Sequence, residues 1–155
     1  MNIKPLSAAL SVSPQIAPAD VRAIAASGYR AIICNRPDGE GADQPGFREI
    51  QCAAQAEGIA IRNLPVIPGQ LSDAQAGEFG RLLEELPKPI LAYCRTGMRS
   101  ASLWGLSRGS DMAPAEIVAR AAECGYDLSA LVRRMTLPGS ASRIFDAIHE
   151  VVIVG

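Results

Sequence analysis

Pro89-Ile-Leu-Ala-Tyr-Cys94-Arg-Thr-Gly97-Met-Arg99-Ser100 is an apolar run that opens into a cysteine-bearing loop and then into a helical pattern. Ile90 to Tyr93 read as a short buried strand, because four apolar residues between turn signals suit the core of a parallel sheet. The helix that follows is expected from roughly Arg99 to Arg108. Its first backbone N–H groups have no intrahelical acceptors, and its dipole places about half a positive charge at that end. The loop is therefore an anion cradle with a thiol at its lip.

Helix N-termini and neighbouring cations favour the thiolate, which is the nucleophilic form of cysteine. Arg99 is expected to grip an oxyanion bidentately, and Gly97 supplies the left-handed turn or close backbone approach that a cradle needs. Cys94, Arg99 and Ser100 are accordingly the catalytic candidates, with Ser100 as hydrogen-bond partner to the sulfur. Arg95, Thr96, Gly97 and Met98 complete the anion-binding loop. The inert alternative is a packed strand-end cysteine beside a solubilising arginine. It does not account for strand, Cys, Gly, Arg and Ser falling in the order a nucleophilic anion site requires.

The same loop resembles the active loops of both the cysteine-dependent phosphatases and the rhodaneses. Phosphatases of that kind hold five residues between Cys and Arg, whereas here only Arg95, Thr96, Gly97 and Met98 intervene, which is the rhodanese-like length. A wider match is carried by Ser13-Pro-Gln-Ile, Ile32-Ile-Cys-Asn-Arg36-Pro-Asp38-Gly-Glu40, Gln44-Pro, Leu64-Pro-Val, Ala92-Tyr-Cys-Arg-Thr-Gly, Leu103-Trp104-Gly and Gly125-Tyr. Together these resemble the phosphatase-like domain family of beta-lactamase hydrolase-like proteins, over about residues 10 to 132. The resemblance implies an α/β fold, the phosphotyrosine-phosphatase-like three-layer sandwich with a central, mostly parallel sheet. It implies Cys94 as nucleophile, while leaving phosphate and sulfur chemistry both open.

The chain's bounds agree with one domain. Its 155 residues suit a single sizeable core. A formal net charge of −1 with no basic run argues against nucleic acid and anionic membrane as partners. No apolar stretch approaches a membrane span and the N-terminus lacks a signal-peptide pattern, so a cytoplasmic location is the default. Cys34, Cys52, Cys94 and Cys124 show no metal-ligand spacing, and a single histidine completes no cluster, so neither a metal site nor a disulfide framework is expected. Cys52 and Cys124 fall in alanine-rich helical patterns and read as small core residues. Cys34 ends a strand expected beside that of Cys94, where it either packs or serves as a resolving thiol.

Along the chain, strands alternate with helices, which calls for a parallel sheet with right-handed crossovers. Leu10 to Val12 is expected at the sheet edge, with further strands at Arg30 to Cys34 and Ile59 to Leu64. Helices are expected from Pro18, from Phe47 to Glu57, after the capping box Ser72-Asp-Ala-Gln75, from Pro114 to Cys124 and from Leu128 to Met135. Sites in such sheets lie beyond the strands' carboxyl ends, where the polar loop Asn35 to Gly41 must also emerge. Arg36 and Asp38 are therefore candidates for the pocket rim or for a proton donor, with Asp73 as a more distant carboxylate. Phosphatases of similar fold carry an aspartate soon after the Pro-Val of the preceding strand, but here Ile67-Pro68-Gly69 stands there. Trp104 and Leu103 are expected to pack the helix onto the sheet.

Residues 1–137 are assigned to this domain. Pro138 to Ser142 reads as a linker, and Arg143 to Gly155 resembles the first strand of a dinucleotide-binding fold, which would place FAD in a further, C-terminal domain and a fused or partner flavoprotein oxidoreductase alongside. No cofactor is expected in the chain itself, and His149 is given no catalytic role. With a short loop and no obvious acid, the favoured expectation is sulfur transfer through a Cys94 persulfide, its substrate a small anion or a persulfide. Hydrolysis of phosphate monoesters through phosphocysteine is the alternative, and a catalytically silent anion-binding module the third.

Overall fold

The computed structural model describes residues 1–135. Strands β1 (Lys4–Pro5), β2 (Leu10–Ser13), β3 (Ala31–Cys34), β4 (Ala60–Asn63) and β5 (Ile90–Tyr93) form one sheet in the order β1-β2-β5-β3-β4. Only β1 runs antiparallel; β2, β5, β3 and β4 are mutually parallel. The Leu10–Ser13 strand is thus internal rather than at the edge, because the two-residue β1 pairs with its outer side. Those first residues are too few to show a strand's alternation in sequence.

Alternation across the pleat explains the layers. In β3 and β5, Ala31, Ile33, Ile90 and Ala92 face one core, together with Phe79, Leu103 and Trp104. Ile32, Cys34, Leu91 and Tyr93 face the other, against Val21, Ile24, Ile50 and Ala54. Both faces are covered, so the central strands read as continuous apolar runs. Helices α1 (Val21–Ala26) and α2 (Phe47–Ala56) cover one side. On the other lie α3 (Asp73–Glu85), α4 (Met98–Ser107), α5 (Pro114–Glu123) and α6 (Ser129–Met135). The result is a three-layer α/β sandwich.

The expected helix starts have visible causes. Ser72 Oγ accepts from Gln75 N at 3.2 Å while Gln75 Oε1 accepts from Ser72 N at 2.9 Å, a reciprocal capping box. A second expectation fails: Cys52 is exposed, because it lies on the solvent side of α2, whereas Cys124 is buried as expected. Trp104 is 1% exposed and packs in the core beside Leu103. The linker from Pro138, the dinucleotide-fold resemblance and His149 fall outside the described residues.

Candidate active site

Cys94 follows the last residue of β5, and α4 begins four residues later, so sheet and helix together fix both ends of the loop. Gly97 caps α4 at φ 96°, in the left-handed region that favours glycine. Its N–H donates to Cys94 Sγ at 3.1 Å, and Cys94 is fully buried. Met98 N–H, by contrast, is turned to Thr96 Oγ1 at 3.3 Å. The loop is tied from outside by Gln15 N–H donating to the Arg95 carbonyl at 3.3 Å.

Helix α4 is buried from Met98 through Gly105, including Arg99 and Ser100. Buried polar groups require partners, and these come from distant loops. Arg99 Nη1 donates to Glu40 Oε2 at 2.8 Å and to the Val66 carbonyl at 2.8 Å; Nη2 donates to Glu40 Oε1 at 2.9 Å. Glu40 thus takes the end-on fork of the guanidinium. The Nε–H and the second Nη2–H share the other edge of the guanidinium, a second fork with bidentate geometry.

Glu40 is in turn held by Arg36, whose Nε donates to Oε1 at 3.0 Å and whose Nη1 donates to Gln15 Oε1 at 3.2 Å. Burial acts to raise the Glu40 carboxyl, but the hydrogen bonds and charges of Arg99 and Arg36 outweigh it and hold the group below its ordinary range. Arg36 is accordingly a buried buttress, 8% exposed, rather than an open rim cation. Asp38 Oδ1 accepts from Phe47 N–H at 2.9 Å and serves the start of α2. Asp73 is exposed at the first position of α3, in the groove that this helix forms with the Leu106–Asp111 segment.

Ser100 Oγ donates to Asn35 Oδ1 at 2.8 Å, and Asn35 Nδ2 donates to the Leu64 carbonyl at 2.9 Å. The hydroxyl expected to serve the sulfur is therefore engaged with Asn35, which laces together the loops after β3 and β4 and the start of α4. Cys34 donates its thiol to the Arg36 carbonyl at 3.3 Å, and burial pushes that thiol up. Two residues that sequence reasoning gave no role, Glu40 and Asn35, thus hold Arg99 and Ser100. Both stand in the Ile32 to Glu40 stretch that carries the family resemblance, which was the available signal.

The model of the phosphatase-like domain of beta-lactamase hydrolase-like protein matches residues 2–111. The chain belongs to this family. The beta-lactamase hydrolase-like protein of Xylella fastidiosa (strain Temecula1) is 34% identical over 134 residues, covering 85% of this chain and 31% of that protein. The chain therefore spans about a third of the length of such relatives. A candidate phosphatase from Neisseria meningitidis Z2491 is 36% identical with a TM-score of 0.80, the match covering 88% of this chain and 97% of that one. The active form of Tk-PTP, at 18% identity, has a TM-score of 0.65 over 99% of this chain and 97% of its own, which shows the fold. The expected phosphotyrosine-phosphatase-like sandwich is thereby established. These relatives favour the phosphatase reading; the sulfur-transfer expectation and the oxidoreductase fusion draw no support from them.

Proposed function

We propose that the protein hydrolyses phosphate monoesters by covalent catalysis at Cys94. The observation that carries this reading is the arginine with two forks: Arg99 is locked end-on by Glu40, which leaves its other edge to serve a phosphoryl group, at the end of a loop whose sulfur already accepts the Gly97 N–H. Such preorganised donors act where charge develops in the transition state. The Cys94 thiolate attacks phosphorus, the S–P bond forms, and the ester P–O bond breaks with its electron pair leaving on oxygen. Water then hydrolyses the phosphocysteine, releasing phosphate and regenerating the thiol.

The stretch Leu64-Pro-Val-Ile-Pro-Gly-Gln-Leu71 carries no carboxylate to protonate the departing oxygen, so leaving groups that are stable as anions are the preferred substrates. The cytoplasmic assignment and a small anionic substrate belong to the same reading. The four-residue spacing from Cys94 to Arg99 favours a second reading, sulfur transfer through a Cys94 persulfide.

One comparison separates them. Wild-type protein is expected to hydrolyse an activated aryl phosphate well, phosphotyrosine slowly, and to yield a trapped phosphocysteine on acid quench. Cys94→Ser should reduce turnover to background while leaving the circular dichroism unchanged. Absence of hydrolysis, together with a mass gain of one sulfur on Cys94 from thiosulfate, would replace the phosphatase by the sulfurtransferase.

A further inference from the structure

The loop between Cys94 and Arg99 has a support that neither the mechanism nor the sequence motif uses. Tyr126, just beyond the end of α5, donates its hydroxyl to the Thr96 carbonyl at 3.0 Å. The Thr96 carbonyl and the Gly97 N–H belong to one peptide unit, and that N–H is the donor to Cys94 Sγ at 3.1 Å. A trans peptide is planar, so its C=O and N–H point in opposite directions. Holding the oxygen outward aims the N–H inward. The approach is close: a Cβ built on Gly97 would lie 2.0 Å from the Tyr126 hydroxyl oxygen. Glycine is needed there both for its φ of 96° and for the phenol above it.

We infer that Tyr126 is a positioning residue for the Cys94 thiolate, acting through the Thr96–Gly97 peptide. Its hydroxyl does two things. It prevents the peptide from flipping, which would turn a carbonyl oxygen toward the sulfur and toward any bound anion. It also polarises the amide, since donation to a C=O strengthens the N–H of the same unit. Burial, followed by the charge of Cys94, pushes the phenol up to about 12, so it remains a protonated donor throughout the neutral range. The inference rests on Cys94 being the loop's nucleophile and not on phosphate being its substrate.

The test reads the sulfur directly. The rate of alkylation by iodoacetamide is followed against pH with Cys34, Cys52 and Cys124 replaced by alanine or serine in every variant, so that one thiol reports. Tyr126→Phe keeps the ring and removes the donor. The midpoint of the alkylation profile is expected to rise by about 0.5 to 1 unit, the equivalent of losing one ordinary hydrogen bond from the charged form. Site-specific replacement of Tyr126 by 3-fluorotyrosine, whose hydroxyl is the stronger donor, is expected to move the midpoint down. A purely structural role predicts no such opposite displacement. Unchanged midpoints in folded Tyr126→Phe would overturn the inference; if that variant does not fold, an unmoved or raised midpoint with fluorotyrosine overturns it instead. Loss of phosphatase activity in the wild type would leave this result standing, so the two readings fail independently.

Discussion

At the scale of single residues, the site is governed by how one guanidinium shares its donors. Arg99 is 2% exposed, and a buried arginine without a counter-charge would be costly. Glu40 neutralises it on one edge, while Arg36 adds a second cation that keeps Glu40 ionised. Arg99→Lys keeps the charge but has no planar fork, and an ammonium at that depth cannot serve Glu40 and an oxyanion with the same geometry. Hydrolysis of an activated aryl phosphate is expected to fall roughly 100-fold, the usual cost of losing an oriented transition-state donor. The measurement is kcat/KM; a change under threefold would remove Arg99 from the anion site. Cys94 and Arg99 were legible in sequence because the strand, the glycine and the helix that place them are local. Glu40, 59 positions from Arg99, and Asn35, 65 positions from Ser100, were not.

At the scale of elements, the strand, loop and helix around Cys94 form one unit whose ends are fixed by pairing. The β5 strand is hydrogen-bonded on both sides, to β2 and β3, and α4 packs against α3. Helix starts elsewhere depend on short-range chemistry that sequence displays openly, as the Ser72 and Gln75 exchange shows. Ser72→Ala removes the acceptor for Gln75 N–H and is expected to cost about 1 kcal/mol of stability. Urea unfolding should show this as a lower midpoint at an unchanged slope, while the Cys94 alkylation profile stays where it was. A displaced alkylation profile would show instead that the start of α3 acts on the Cys94 loop.

At the scale of the whole molecule, the Arg36–Glu40–Arg99 network joins the loop after β3 to α4 and makes stability depend on pH. Glu40 is depressed below its ordinary value of 4.5, so the stabilisation it confers is present above that value and is lost as pH falls through its lower folded value. Thermal unfolding temperature is therefore expected to drop between about pH 5 and pH 3. Glu40→Gln should lower it already at pH 7, by about 2 kcal/mol in stability, because two buried cations lose their shared partner. The variant should also show a shallower fall in acid. An acid limb as steep as that of wild type would mean that other carboxylates control it.

Sequence alone determined the order of strands and helices, the place of the Cys94 loop between strand and helix, and the four-residue spacing to Arg99, because hydrophobic period, capping residues and glycine positions act over a few residues. It placed Leu10 to Val12 at an edge and Cys52 in the core, since a two-residue β1 has no readable pattern and an alanine-rich helix does not announce which cysteine faces solvent. Only the tertiary structure decided what surrounds the loop. The sheet order brings the chain after β3 beside the chain after β5, which puts Glu40 on Arg99 and Asn35 on Ser100, and the return from α5 lays Tyr126 over Gly97. Contacts between segments far apart in sequence are selected by packing both faces of one sheet, and no local propensity encodes them.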